Sequence, residues 1–203
     1  MERTISGMMG KGSVNHNTRA FSAKNVDKER SRDNVDFCHE DIKAVYHELF
    51  DEALERYNAK QKRSDRKIEN YYEKIRQGKQ EKLFYEVIFQ IGNRDDMNVR
   101  SEEGQLAKQI LSDFMADFQS RNPNLHVFSA HLHMDEETPH IHIDFVPVIT
   151  GSKRGLDTRV SLKGALAEQG FEGGTRGATE WNQWIESEKK ELAAVMELSL
   201  IHI

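Results

Sequence analysis

The segment from His131 to Ile143, which reads HLHMDEETPHIHI, constrains the fold and chemistry of this chain more than any other. Histidine and aliphatic residues alternate on both sides of an acidic centre, a pattern typical of two strands joined by a tight turn. Strand residues two apart point to the same face, so His140 and His142 share one side. If Glu136 and Glu137 form the turn, His133 lies opposite His140, with Cβ atoms about 5 Å apart.

Three imidazoles on one face of a hairpin predict a metal site. Together with an adjacent carboxylate, they suit a divalent transition ion and leave a coordination position open for substrate. His131 faces the same way in this register. We expect it either to bind the metal in place of one of the three or to hydrogen-bond to a histidine that does. His126 is expected on the opposite face. The alternative is a surface hairpin whose histidines coincide by chance.

A second metal hypothesis is a facial triad of the non-haem iron type, because His133-Met134-Asp135 spells its first two ligands. The third would have to be His140 in the same tight hairpin. Only His202 remains after His142, and it lies at the end of the chain, so this hypothesis is the weaker one.

The remaining pattern predicts an α+β fold, an antiparallel sheet covered by helices with the histidine hairpin at its centre. Residues 1–38 read as an irregular basic arm with short strands possible near 3–9 and 34–38. Apolar spacing predicts helices over about 39–76, 101–121, 161–168 and 178–198, and strands over 82–91, 125–134 and 139–149. We expect a catalytic domain over residues 1–170, followed by a C-terminal helical segment at 171–203.

Composition restricts the setting of the protein. Among 203 residues there is one cysteine, Cys38, which cannot form an internal disulfide and fits a reducing compartment. No apolar run reaches the roughly 18 residues of a membrane helix, and the N-terminus lacks a secretory signal, so we expect a cytoplasmic protein. The net charge of −5 is unusual for a nucleic-acid binder, but basic residues concentrate in the arm and over residues 60–82.

The arm carries a second motif, His16-Asn17-Thr18-Arg19, which is weak alone. Together with His133–His142, it makes the chain resemble the MobV-type (Mob/Pre) plasmid mobilisation relaxases of the histidine-hydrophobe-histidine endonuclease superfamily. Those proteins carry His-Asn-x-Arg, then His-x-Asp-Glu-x-Thr-Pro-His-x-His. The family also has a middle motif, roughly Asn-Tyr-Glu-Leu, and the corresponding segment here is Asn34-Val35-Asp36-Phe37. Only Asn34 is identical; Asp36 keeps an acidic residue at the third position, and the tyrosine is missing. The resemblance covers about residues 1–170.

The resemblance implies site-specific nicking and rejoining of one strand of origin-of-transfer DNA through a covalent intermediate. His16 is then the nucleophile, Arg19 steadies a phosphate oxygen, and Glu136 supports the metal ion. Mn²⁺ or Mg²⁺ is held by His133, His140 and His142. Plasmid DNA is the partner, single-stranded at the nick, and coupling to conjugation machinery is possible.

Expected DNA contacts are Lys11, Asn17, Lys24, Lys153, Arg154 and Arg159, with bases stacking on exposed aromatics such as Phe21 or Trp181. Two other functions stay open. One is a rolling-circle replication initiator that uses a tyrosine nucleophile, for which Tyr71 or Tyr72 is the natural candidate, followed by Tyr46 and Tyr57. The other is a non-catalytic protein that binds DNA or metal.

Overall fold

The computed structural model describes residues 3–21 and 23–201, and its centre is an antiparallel sheet. The strands are β1 (Ile5–Met9), β2 (Val35–His39), β3 (Tyr85–Ile91), β4 (Leu125–His133), β5 (His140–Ile149) and the short β6 (Arg159–Val160). Their order across the sheet is β1-β3-β5-β4-β2, and β6 pairs with the far end of β5. The histidine hairpin β4–β5 is therefore central, which confirms the predicted α+β class.

The helices are α1 (Val14–Asn17), α2 (Ile42–Ala59), α3 (Tyr71–Gln77), α4 (Glu102–Ala116), α5 (Phe118–Arg121), α6 (Leu162–Glu168) and α7 (Glu180–Ile201). Five begin at a polar residue that caps the first turn, namely Asp41, Asn70, Ser101, Ser161 and Thr179. In the described part of the chain, no helix is both long and apolar enough to cross a bilayer.

The single helix predicted over residues 39–76 was wrong, because the chain leaves the helix at Lys60 and re-enters it only at Tyr71. Asn58 explains the break. Its side-chain amide donates to the carbonyl of Ile68 and accepts from the Ile68 amide, which holds the intervening residues in a closed loop. Side chains of this type offer the backbone an alternative to helical hydrogen bonds, so periodicity alone missed the loop.

The two faces of the sheet support separate apolar cores. One contains Phe89, Phe114 and Trp184 and is covered by α4, α6 and α7. The other contains Phe50, Tyr71 and Phe128 and is covered by α2 and α3. Because cross-strand partners share a face, His131, His133, His140 and His142 lie on the α2–α3 side of the sheet.

A bulge in β4 corrects the position predicted for His126. The register shifts between Val127 and Ser129, so His126 pairs with Val146 rather than following the alternation of its neighbours. An extra residue reverses the side to which every earlier side chain points. His126 therefore shares the face of the histidine cluster, although it lies toward the far end of the strand.

The arm is more ordered than expected, because it supplies both edge strands. β1 pairs with β3 at one edge, and β2 pairs with β4 at the other. Residues 10–34 must therefore cross from one edge of the sheet to the other. They carry α1 over the ends of β4 and β5, where the histidines lie.

Candidate active site

Three hairpin histidines converge near the turn that joins the central strands. His133 pairs with His140 across the hairpin, and His142 lies next to them along β5. The ring centroids are 4.7 Å apart for His133–His142, 5.0 Å for His140–His142 and 5.3 Å for His133–His140. The hairpin thus brings the predicted metal ligands together.

Each of the three rings has one nitrogen held by an acceptor. Nε2 of His133 lies 2.8 Å from the carbonyl of Asn17, and Nδ1 of His140 lies 2.8 Å from the carbonyl of Thr138. Nδ1 of His142 lies 2.6 Å from a carboxylate oxygen of Glu86. Because each acceptor requires a proton on the nitrogen it faces, the other nitrogen of every ring keeps its lone pair, as metal ligands require.

The surroundings of the site keep two of these rings, His133 and His140, neutral. Burial, with the neighbouring His142, lowers the pKa of His133 to about 2. Burial likewise lowers the pKa of His140 to about 4. Neutral imidazole is the metal-binding form, so no proton competes for these lone pairs near neutral pH.

The donor set fits a divalent cation. Nδ1 of His133 and Nε2 of His142 are buried, and within the described part of the chain neither has a hydrogen-bond partner. Candidate ligand atoms fall into two groups that share His133: one contains His16 and His142, and the other contains Glu136 and His140. Buried nitrogen lone pairs without a donor are costly unless a ligand uses them, so this cluster is able to hold a divalent metal.

His16 lies at the edge of the cluster on α1. Its ring centroid is 5.9 Å from that of His133 and 5.8 Å from that of His142. Nε2 of His16 is 3.3 Å from Nη1 of Arg19 and 3.6 Å from Oε1 of Glu136. Burial and the charge of Arg19 lower the pKa of His16, which favours the neutral ring.

Arg19 is held in place by Asp135, which the sequence suggested only as a ligand of the iron triad. Its φ of 58° is unusual for a residue other than glycine. Nε donates to Asp135 at 2.9 Å, and Nη2 donates to both Asp135 and Glu136. Asp135 is fully buried and also accepts from Ser31 and Asn34. It therefore anchors Arg19 and joins neither group of metal ligands, which argues against the iron triad.

Two residues of the middle motif, Asn34 and Asp36, hold parts of the histidine hairpin in place. Asn34 donates to Asp135 and accepts from the backbone amide of Met134, so it fixes the start of the hairpin turn. Asp36 lies 2.6 Å from Nδ1 of His131, whose Nε2 contacts the hydroxyl of Ser129. Both nitrogens of His131 are thus engaged, and it is not a ligand in this arrangement.

Glu86 is the main site residue that sequence reasoning missed. It is 3% exposed on β3, and it accepts from His142, from the Asn17 side chain at 2.8 Å and from the Gly12 amide at 2.7 Å. Burial alone would raise its pKa, but these hydrogen bonds outweigh burial and hold the pKa below its ordinary value. A Cβ at Gly10 would overlap this carboxylate, so glycine is required there. The signal in the sequence was one acid inside an otherwise apolar strand.

The predicted DNA contacts occupy different environments. Lys11, Lys24, Lys153 and Arg154 are exposed. Arg154 and Arg159 line a cavity of about 680 Å³ between α3 and β6, together with Lys74 and Lys79. Asn17 differs from expectation, because its side chain is buried and donates to Glu86 and to Asp144 at 3.0 Å. This contact joins α1 to the sheet.

The rival tyrosines belong to the α2–α3 core. Tyr46 is buried and donates to the carbonyl of Leu83, and Tyr71 is buried with its hydroxyl accepting from the Val160 amide. Burial raises the pKa of both hydroxyls, which disfavours the phenolate. Tyr72 packs against Tyr46 beneath the Lys43 ammonium. Trp181 packs against the buried Trp184, with ring centroids 4.9 Å apart.

Comparisons with known proteins agree with this architecture. Two solved structures of the MobM relaxase domain (MOBV; Mob_Pre), both bound to plasmid pMV158 oriT DNA and Mn-bound, share the fold with a TM-score of 0.50 each. One, at pH 5.5, is 21% identical, and the other, at pH 6.8 with a 3′-thiophosphate, is 20% identical. In both cases the match covers 94% of this chain and 85% of the MobM chain.

A search of curated proteins found no match. The family model Mob_Pre, described as plasmid recombination enzyme, matches residues 9–169. That range includes both histidine motifs and strands β2 to β6. The chain therefore belongs to the Mob_Pre family of plasmid recombination enzymes, as the resemblance in its motifs implied.

Proposed function

We propose that this chain is a relaxase that cuts one strand of plasmid DNA at an origin of transfer and later rejoins it. The observation that carries the proposal is the position of His16 beside the three hairpin histidines, 5.8–5.9 Å between ring centroids. A nucleophile beside a cluster of metal ligands is the arrangement that transfer of a phosphodiester requires. Membership of a family of plasmid recombination enzymes supports plasmid DNA as the substrate.

In the proposed reaction, a ring nitrogen of His16 attacks the phosphorus. The N–P bond forms as the bond from phosphorus to the 3′-oxygen breaks, and the DNA 5′ end stays on the protein. The proton from the imidazole N–H ends on the released 3′-oxygen through solvent. Attack by a 3′-hydroxyl reverses these steps, so rejoining needs no nucleotide cofactor.

Neighbouring side chains prepare His16 for this role. Arg19, anchored by Asp135, directs its guanidinium toward the same space and can pair with a phosphate oxygen. The lowered pKa of His16 keeps its lone pair available near neutral pH. Glu136 lies 3.6 Å from His16 and 3.9 Å from Nε2 of His140, and we assign it to support of both groups.

His133, His140 and His142 are the residues that would hold Mn²⁺ or Mg²⁺, and imidazole ligands favour Mn²⁺. The bound ion would offset charge on the scissile phosphate and orient its leaving oxygen. The Mn-bound MobM structures support this choice of metal. Coupling to conjugation machinery belongs to the same proposal.

A nicking assay tests the proposal. The purified chain is incubated with Mn²⁺ and a supercoiled plasmid that carries the cognate origin, and we expect conversion to the open circle. His16→Ala should abolish nicking while Tyr72→Phe retains it. Nicking that survives in His16→Ala and disappears in Tyr72→Phe would support the replication-initiator alternative. Lack of nicking in the unmodified chain would support the non-catalytic one.

His16 belongs to one of the two candidate ligand groups, so metal binding must be measured beside nicking. If His16 is the nucleophile and not a metal ligand, the His16→Ala variant should retain most of its affinity for Mn²⁺. If His16→Ala instead lost Mn²⁺ as severely as His142→Ala, His16 would be a ligand and the assignment would be wrong.

A further inference from the structure

A second cavity, of about 430 Å³, lies directly beside the histidine cluster. It falls within the range of roughly 300–1,000 Å³ typical of small-molecule sites. One wall is formed by the site itself, through His16 and His142. The apolar part of the lining is formed by Met8, Met9, Phe21 and Ile88.

Most of this apolar lining is exposed to solvent. Met8, Met9 and Phe21 are 51%, 42% and 63% exposed, and among the described residues Leu198 is the only other large hydrophobic side chain in that class. Three of these four exposed side chains thus border one cavity. Contiguous exposed apolar surface of this kind marks a binding site more often than scattered residues do.

The backbone fixes where Phe21 stands. Its amide donates to the carbonyl of Asn15 at 2.9 Å, which closes the turn after α1. Arg19, two residues earlier, reverses the chain with its positive φ. The same turn that presents His16 to the cluster therefore also presents the Phe21 ring to the cavity.

We propose that this cavity binds an unpaired nucleobase of the nucleotide adjacent to the scissile phosphate, with the base stacked on Phe21 and packed against Met8 and Met9. The inference rests on the proposed function, because His16 is part of the cavity wall and a base held there belongs to a nucleotide near the phosphate it attacks. A planar base suits a cavity with an aromatic ring and thioether side chains, since every base has a π-face. The exposed ammonium of Lys11 lies on the rim, where it meets the DNA backbone.

The charges of the cavity favour this occupant over a second copy of the chain. Lys11 is the exposed charge of the cavity lining, because the carboxylate of Glu86 is 3% exposed and is bound by His142, Asn17 and Gly12. An exposed cation beside apolar side chains suits a polyanion that brings an apolar, planar group with it. Single-stranded DNA combines these two properties. Burial of the same surface against another copy would leave Lys11 without such a partner.

Two single-stranded probes separate base contacts from phosphate contacts. One is a fluorescein-labelled oligothymidylate of about 12 nucleotides, and the other has the same length but consists of abasic sites. Binding is followed by anisotropy in EDTA, so that no nicking takes place. The proteins are the unmodified chain, Phe21→Ala, Phe21→Trp and the control Leu198→Ala, which removes a similarly exposed side chain from α7.

We expect Phe21→Ala to weaken oligothymidylate binding by roughly 5- to 150-fold, the loss that corresponds to one stacked base. Its affinity for the abasic probe should not change, and Phe21→Trp and Leu198→Ala should bind both probes as the unmodified chain does. The base site would be overturned if Phe21→Ala bound oligothymidylate as tightly as the unmodified chain does. It would also be overturned if Phe21→Ala lost the same affinity for both probes. Neither result would contradict the proposed function. If the unmodified chain bound neither probe, the base site would be overturned, whereas the proposed function is decided separately by the nicking assay with Mn²⁺ and the cognate origin. Sedimentation that shows an unmodified dimer and a monomeric Phe21→Ala variant would assign the surface to self-association and also overturn the proposal.

Discussion

Oε1 of Glu86 lies 2.6 Å from Nδ1 of His142, so a carboxylate on β3 orients a histidine on the neighbouring strand β5. The same carboxylate accepts from the amide of Gly12 and the side chain of Asn17, both in the segment that carries His16. One buried side chain therefore ties the metal cluster, the sheet and the arm together.

Replacement of Glu86 by glutamine should weaken Mn²⁺ binding by about 10- to 100-fold, the usual effect of losing a carboxylate partner of a ligating histidine. Glutamine keeps the size of the side chain but presents an NH₂ group to donors that need an acceptor. Isothermal titration calorimetry measures the affinity, with Glu197→Gln on the exposed side of α7 as control. Unchanged affinity in Glu86→Gln would remove Glu86 from the site.

Mn²⁺ should stabilise the folded chain through the hairpin histidines. At a hundredfold excess over its dissociation constant, a ligand specific to the folded state adds about 2.7 kcal/mol, which raises Tm by about 5–10 °C for a chain of this size. We expect His142→Ala to lose this shift and His47→Ala, an exposed histidine on α2, to keep it. A shift that is equal in both variants would locate the ion elsewhere. Differential scanning fluorimetry with and without EDTA provides the measurement.

Asp135→Ala should lower the free energy of unfolding by about 3–5 kcal/mol, because it leaves the largely buried guanidinium of Arg19 with only Glu136 as a partner and removes the acceptor of Ser31 and Asn34. The matched control is Asp65→Ala, which breaks the exposed ion pair between Arg63 and Asp65 and should cost less than about 1 kcal/mol. Urea denaturation compares the two variants. Equal losses would contradict the role assigned to the buried pair.

Lys153 and Arg154 are expected to act on DNA through phosphate contacts. Alanine at either position should weaken binding to single strands of any sequence and reduce the slope of log K against log salt by about 0.7. Lys190→Ala, on the exposed face of α7, should leave the slope unchanged. A loss that depends on base sequence, or a slope equal to that of the unmodified chain, would contradict this assignment.

The features that could be predicted from the sequence depend on local spacing. Alternation around Glu136 was enough to place His133, His140 and His142 on one face, because strand geometry fixes the direction of every second side chain. The structure also confirms the helix starts predicted near residues 101 and 161, where Ser101 and Ser161 cap the first turn.

The features that sequence reasoning missed depend on distant contacts or on local irregularity. Sequence reasoning assigned no role to Glu86 and suggested Asp135 only as an iron ligand, since their partners Asn17 and Arg19 come from the crossing arm. The extra residue in β4 gives no signal in the spacing of hydrophobic residues, so His126 was assigned to the wrong face. Topology alone brings α1 over the hairpin.

The central claim is that His16 bonds covalently to DNA while the hairpin histidines hold the metal ion. Its most direct test is mass spectrometry of the protein–oligonucleotide adduct trapped after reaction of the purified chain with Mn²⁺ and a single-stranded origin oligonucleotide. We predict an adduct whose phosphoryl group maps to His16 in the peptide digest. An adduct that maps to Tyr71 or Tyr72, and persists in His16→Ala, would contradict the claim.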